Sequence, residues 1–256
     1  ISNILKPLGQ YTFECGMILL NSLIRSSVLY GTEAMFNITE NEIREIERIE
    51  KKQMKNIFKA KTGIQVPLHI MYLDGGQIPA RYQIQRYKLN FMQYILQQDE
   101  ESLLYQMLDA QKEQPVKGDW FSECNKILEE FEINLGSERI KTMSRQEFKR
   151  LTKDKSEERA FSELIYKKEK GSKGSTLKYG QKLQMADYLC PNNQLSVDEQ
   201  RQIFQIRSQI NPLPSNKGMV VPCPTGCGET MNNSYIFQCV VLNPEEKTSI
   251  EKLING

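Results

Sequence analysis

The chain is poor in the residues on which most active sites are built. It holds one histidine in 256 residues, His69, so a histidine-based site has almost nothing to stand on. His69 follows Pro67-Leu68 with no second histidine or cysteine beside it, which favours a structural or surface role. There is no Asp-Asp pair of the kind a two-metal polymerase uses. None of the ten prolines is followed by Asp, so a Pro-Asp nuclease motif is missing. Walker-type and GxGxxG phosphate loops are absent, as is Gly-x-Ser-x-Gly. Chemistry carried by this chain alone is therefore not expected. No apolar run reaches the roughly 18–20 residues a membrane span needs. Six cysteines are too few for a disulfide scaffold, which points to an intracellular, reducing setting. The first residue is Ile1 and no signal-peptide pattern follows, so the sequence reads as a piece of a longer protein. Net charge decides nothing: 34 Lys+Arg stand against 32 Asp+Glu.

What is there is helical. Residues 14–30 form a mostly apolar run whose length favours a buried helix over a strand, with Gly31 as its C-cap. Thr39 and Glu42 make a capping box that opens a helix to about Lys61, closed by Gly63. A short element spans about 68–73. Pro79 sits where a helix N1 proline belongs, ahead of a helix over 80–97. Ile84, Tyr87, Phe91, Tyr94 and Ile95 share one face of it. Leu89, Met92 and Leu96 cover much of the rest, so it should be buried between layers. Helices follow over 100–112 and 119–131. Ser144 with Glu147, and Ser196 with Glu199, make two more capping boxes. They open a long charged helix over 145–170 and a shorter one to about Ile210. GSKGS at 171–175 reads as a flexible hinge. Cys15 and Cys124 fall in apolar helical patterns and are expected in the core; Cys190 has no evident partner.

Charge is unevenly distributed. On the helix after Thr39, Ile43, Ile46, Met54, Ile57 and Phe58 share one side. Arg44, Arg48, Lys51, Lys52, Lys55 and Lys59 gather within roughly 100° of arc on nearly the opposite side. A solvated helix with i,i+4 ion pairs is one reading. Sorting of six cations onto a stripe points instead to a phosphate-facing surface. Residues 98–138 hold 11 acidic and 3 basic residues, and residues 141–182 hold 13 basic and 6 acidic. Lys149, Arg150, Lys153, Lys167, Lys168, Lys170 and Lys173 make a looser second patch that solvation alone could explain.

Near the end, Cys223, Cys227 and Cys239 lie among turn-forming Pro224, Gly226 and Gly228. Such spacing suits a small tetrahedral zinc site that lacks one ligand. Tyr235 occupies the position four before Cys239 where a histidine would complete it. Glu229 or a water could supply the fourth ligand. The competing reading is a degenerate knuckle whose reduced cysteines pack as small apolar side chains.

Several segments in order resemble the C-terminal part of the reverse transcriptase open reading frame of LINE-type, non-LTR retrotransposons. LLNSLIRSSVLYGTEAM (19–35) is similar to the apolar helix ending in "Leu-Tyr-Gly-x-Glu-Ala". MYLDGGQIPARYQIQRYKLNFMQYIL (71–96) is similar to the next signature: Gly76, Pro79, Arg81, Ile84, Arg86, Leu89 and Phe91 fall in place. Asp74 replaces a Glu there, and Tyr87 with Lys88 replaces the second Arg and its neighbour. DEQRQIFQIRSQINPLPSN (198–216) is similar to a "Phe-x-x-Arg" helix, and the cysteine cluster to the terminal knuckle.

The resemblance implies a mainly α fold: a helical thumb-like domain over 1–138, a basic helical linker over 139–195, and a helix plus degenerate zinc-knuckle tail over 196–256. It implies that the catalytic palm of the parent RNA-directed DNA polymerase lies upstream, leaving a non-catalytic fragment that grips template–primer duplex, or target DNA or RNA, in nucleus and cytoplasm. RNA or DNA backbone and the upstream polymerase core would be its partners. Arg44, Arg48, Lys51, Lys52, Lys55 and Lys59 would face phosphates. Arg81 and Arg86 would either join them or pair with carboxylates of the 98–138 segment. Leu19, Leu20, Leu23 and Ile24 would be covered by the missing domain. The alternative is a domesticated retroelement relic acting as a protein–protein scaffold, with the acidic segment docking a partner.

Overall fold

The computed structural model describes residues 12–35, 38–58, 66–116, 118–171, 177–193, 195–208 and 222. The fold is mainly α, as expected. In chain order the helices are α1 (Phe13–Leu19), α2 (Ser26–Val28), α3 (Glu40–Ile57), α4 (Leu68–Asp74), α5 (Ala80–Leu96), α6 (Leu103–Glu113), α7 (Trp120–Glu130), α8 (Ser137–Thr142), α9 (Arg145–Lys170) and α10 (Val197–Arg207). A π-helical segment, Leu20–Arg25, joins α1 to α2. Two short 3-10 turns occupy Asp187–Leu189 and Pro191–Asn193.

Side chains set the helix starts. At α3 the Glu42 carboxylate accepts from the Thr39 N–H at 2.7 Å, while Thr39 Oγ1 accepts from the Glu42 N–H at 3.3 Å. The same reciprocal pair forms at Ser196 and Glu199 ahead of α10. Ser144 Oγ accepts from the Glu147 N–H at 3.2 Å, and α9 spans 145–170 as the pattern requires. These bonds satisfy N–H groups that the first helical turn cannot pair internally. Elsewhere the limits moved. Asp99 holds residues 99–102 in a turn, its carboxylate accepting from the Glu101 N–H at 3.0 Å, so α6 begins at Leu103. Pro79 is the N-cap of α5 rather than its first residue. Helix α8 had no clear pattern in the sequence. The run after α1 winds as a π-helix, and Ser26 and Ser27 direct their hydroxyls to the Ser22 and Leu23 carbonyls. Leu20 and Ile24 are buried within this chain, so no missing domain is needed to cover them. Ile18 and Leu23 are 56% and 49% exposed.

The chain divides into two compact units that alternate along the sequence. One unit holds residues 1–20, 51–77 and 164–256, and the other holds 21–50 and 78–163. In the first, Phe13 meets Phe58 edge-on and Phe58 meets Phe204 at a tilt, with ring centroids 4.5 and 4.0 Å apart. Met17, Met54, Ile57, Ile70, Leu73, Leu164, Leu189 and Ile203 are buried in the same unit. Gly16 lets α1 lie against Ile57: a Cβ there would come within 2.9 Å of that side chain.

In the second unit α5 packs against α6, α7 and α8. Leu29, Ile43, Ala80 and Ile84 form a core cluster with Ile38, Ile46 and Tyr87 against it. Arg25 and Glu50 are buried together at 2.7 Å, and Arg25 also donates to the Ile78 carbonyl at 2.8 Å. Gln93 and Gln97 donate to carbonyls of Ile140, Lys141 and Met143, which ties the α8 turn to α5.

Helix α9 is more than a solvated linker. Phe148, Thr152, Ser156, Ala160, Leu164 and Lys168 are all buried. They recur every four residues, a ridge that turns by about 40° per step. Phe148 to Ala160 belong to the second unit; Leu164 and Lys168 belong to the first, where Lys168 donates to the Leu177 carbonyl at 2.6 Å. Residues 172–176, which include most of the expected hinge, lie outside the described residues.

Gly76 shows why a glycine belongs after α4. Its φ is +60°, and an added Cβ would stand 2.4 Å from the Met185 backbone nitrogen. An isolated antiparallel bridge pairs the preceding Gly75 with Met185. We expect Gly76→Ala to lower unfolding stability by about 2–4 kcal/mol, since it adds left-handed strain to a backbone clash. Urea unfolding followed by far-UV circular dichroism measures this.

Candidate functional site

The cationic side of α3 is the first candidate. Ile43, Met54, Ile57 and Phe58 are buried and Ile46 is partly buried, which fixes the apolar side as the sequence pattern required. Arg44, Arg48 and Lys52 are exposed, and Lys51 and Lys55 are half-buried. Lys59 lies outside the described residues. Arg48 is paired with Glu45 of its own helix at 2.7 Å, an exposed contact worth little. Arg44, Lys51, Lys52 and Lys55 have no carboxylate within ion-pair reach among the described residues.

Arg81 is committed internally. Its guanidinium grips the Glu40 carboxylate with two bonds, one of 2.7 Å, so its partner comes from α3 rather than from the acidic 98–138 segment. That hydrogen bond is the main reason the Glu40 carboxyl is held below the usual range. Arg86 lies over the Tyr87 ring at 5.5 Å and has no carboxylate partner among the described residues. The acidic segment is engaged by other residues of α5: Lys88 meets Glu123 at 2.7 Å, and Gln85 donates to Glu130 at 2.7 Å.

In the looser patch on α9, Lys153 pairs with Glu157 at 3.8 Å and Lys170 lies over the Tyr166 ring at 5.8 Å. Lys168 is buried, while Lys149, Arg150 and Lys167 are exposed. Lys173 lies outside the described residues.

The proposed zinc ligands Cys223, Cys227 and Cys239, with Tyr235 and Glu229, all lie outside the described residues. Among the described residues no cluster of His, Cys, Asp and Glu could hold a metal. His69 is half-buried on α4. Cys15, expected in the core, is exposed, because it lies on the outer side of α1 between buried Phe13 and Gly16. Cys124 is buried as expected, and burial pushes its thiol far above the ordinary range, which makes it inert.

Two groupings escaped the sequence pattern. The first is a buried polar cluster. Arg207 of α10 forks onto Asp74 at the end of α4, with Nε and Nη2 each 3.0 Å from a carboxylate oxygen. The hydroxyls of Tyr179 and Tyr188 donate to the same carboxylate at 2.7 Å each. Burial and the Asp74 charge raise both phenols far above their ordinary value, so they stay protonated as donors. Phe204 and Arg207 are the Phe and Arg of the Phe-x-x-Arg pattern. Asp74 is the acidic residue of the Tyr-Leu-Asp-Gly-Gly stretch. Two segments singled out separately in the sequence are thus bonded to each other.

The second is a cleft of about 510 Å³ in the unit of residues 21–50 and 78–163. Tyr87, Phe91 and Tyr94 of α5 line it, together with Arg145 and Lys149 of α9 and with Tyr30 and Glu33. Helix α5 is therefore not buried on every side. Its aliphatic residues are covered, while Tyr94 is 39% exposed and Tyr87 and Phe91 are half-buried. The repeat of aromatics at 87, 91 and 94 was visible; that it faces an opening was not.

No family model, curated protein or solved structure matches the chain. No helix among the described residues is long and apolar enough to cross a membrane.

The buried cluster makes a sharp stability prediction. Asp74→Ala leaves Arg207 charged and uncompensated in the interior and should cost about 3–5 kcal/mol. Arg207→Lys keeps the charge but loses the fork, and should cost about 1–3 kcal/mol. Urea unfolding midpoints of the two variants check the order.

Proposed function

We propose that this chain is a non-catalytic, nucleic-acid-gripping part of a retrotransposon reverse transcriptase, lying downstream of the polymerase core. The observation that carries the reading is the set of uncompensated cations on α3. A protein that holds a helical substrate without reading its sequence needs fixed cations directed at phosphates. Lys51, Lys52 and Lys55 meet that need, having no carboxylate within ion-pair reach among the described residues; Arg44 has none either, though its charge also acts on the Glu40 carboxylate. Arg48 contributes by exchanging Glu45 for a phosphate. Arg81 acts differently: it fixes the start of α3 through Glu40.

The order of signatures in the sequence supports the assignment to non-LTR elements. The phosphate backbone of RNA or DNA would be the partner, inside the cell, in nucleus or cytoplasm.

The grip should weaken steeply with salt. Charge reversal of Lys51, Lys52 and Lys55 together should reduce affinity for RNA–DNA duplex for every sequence tested. It should also flatten the log affinity against log salt slope by roughly one unit per lysine. Fluorescence anisotropy with a labelled hybrid duplex at several salt concentrations measures both. Affinity indifferent to salt and to the reversal would remove the reading.

The cysteine cluster is proposed to hold one zinc ion through Cys223, Cys227 and Cys239. Elemental analysis should give near-stoichiometric zinc that falls on Cys223→Ser, and Tyr235→His should tighten retention against a chelator.

A further inference from the structure

The reading of this chain as a duplex grip leaves the aromatic cleft without a role. A phosphate-directed surface needs cations but no rings. Here the Phe91 and Tyr94 rings lie nearly parallel, 11° apart in tilt with centroids at 5.9 Å. The Arg145 guanidinium covers Tyr94 at 5.2 Å, and Tyr30 in the same lining is 86% exposed. Two exposed tyrosines, Tyr30 and Tyr94, with cations beside them at one opening form a surface suited to a ligand.

The polar groups narrow the chemistry. Arg145 spends its Nε on Gln97 Oε1 at 3.1 Å, which leaves the rest of its fork for an acceptor. Neither Arg145 nor Lys149 has a carboxylate partner among the described residues. Asn90 accepts from Thr152 Oγ1 at 3.1 Å through its carbonyl oxygen, and its amide nitrogen has no protein acceptor among the described residues. Glu33 adds a carboxylate to the same lining. Flat π surfaces, an N–H donor, an acceptor and two cations together match an unpaired nucleobase with its phosphate. The face stacks, the edge offers both donor and acceptor, and the phosphate meets Arg145 or Lys149. A paired base inside a duplex has no free face, and its Watson–Crick edge is already used. An acidic peptide would satisfy the cations but would face Glu33 and leave the rings unused.

We infer that the cleft lined by Tyr30, Tyr87, Phe91, Tyr94, Arg145 and Lys149 binds an unpaired nucleotide of single-stranded RNA or DNA. It is a stacking site separate from the phosphate-facing residues of α3. The inference rests on the nucleic-acid reading given above and extends it to strand state. The cleft volume suits one nucleotide rather than a long segment.

The test uses the full chain and strands of about 12 nucleotides, within the usual range of single-strand sites. Affinity is measured for a mixed-sequence RNA strand, its DNA counterpart and an abasic strand with the same phosphates. Stacking of one base should make the base-bearing strands bind roughly tenfold more tightly than the abasic one. Tyr94→Leu should bring that ratio to about one. Arg145→Gln should weaken all three strands. Charge reversal of Lys51, Lys52 and Lys55 should weaken hybrid-duplex binding and preserve the ratio. Retained far-UV helicity shows that each variant is folded, and Tyr94 is exposed enough for its replacement to be tolerated. The RNA and DNA arms show which sugar the site accepts. A ratio near one in the unaltered chain, or one that survives Tyr94→Leu, overturns the inference. If duplex binding persists in that case, the grip itself stands. Failure to bind any strand or duplex removes both. Tighter binding of an oligoglutamate peptide than of the strands would overturn the inference and give the cleft to a protein partner.

Discussion

The fork of Arg207 on Asp74 is the contact on which one of the two units depends. Both groups are almost fully removed from water, so each would be very costly alone. The site compensates by saturating the carboxylate. Two guanidinium N–H groups and two tyrosine hydroxyls converge on its two oxygens. The guanidinium in turn lies over both tyrosine rings, 5.4 Å from each centroid. The Asp74 backbone carbonyl accepts from the Ala186 N–H at 2.9 Å, so main chain and side chain anchor the same strip of residues 185–188. Elements more than a hundred residues apart in sequence are specified to meet by one charge. A hydrophobic contact of similar area would hold them without fixing which residues pair.

Charge elsewhere follows the same division between groups that are used and groups that are left open. Arg25 with Glu50, Lys88 with Glu123, and Arg81 with Glu40 all join segments distant in sequence. The segregation of acidic residues into 98–138 is partly explained by this need, since Glu100, Glu123 and Glu130 each receive a donor from outside the segment. Among the cations left without a carboxylate in reach by that internal pairing, within the described residues, are a set on α3 and two beside the aromatic cleft. Their isolation is more informative than the net charge of the chain.

Local signals were legible before any coordinates. The Thr39–Glu42 and Ser196–Glu199 boxes and the span of α9 follow from short-range rules in which capping atoms lie within four residues of each other. The apolar side of α3 was equally plain. The misses share one cause. Asp74 and Arg207 are separated by 133 residues, Arg25 and Glu50 by 25, and no periodicity announces such a pair. Glu50 in particular looked like one more surface acid on a charged helix. The cleft was hidden for a related reason: aromatic residues at helical spacing read as core. Only the positions of Arg145 and Tyr30 show that this face opens outward.

The ridge on α9 has an evolutionary corollary. Its covered positions, from Phe148 to Lys168, keep a strict interval of four, and the middle of the series uses Thr152, Ser156 and Ala160. Side chains on the outer flank can drift freely in such a helix. A single inserted or deleted codon between Phe148 and Ala160, which lie in one unit, cannot be absorbed: it would turn the later positions of that stretch by about 100° and carry them out of their sockets. Length within 148–160 should therefore be held far more tightly than composition, while the turn at 99–102 takes up whatever gains and losses the lineage accumulates.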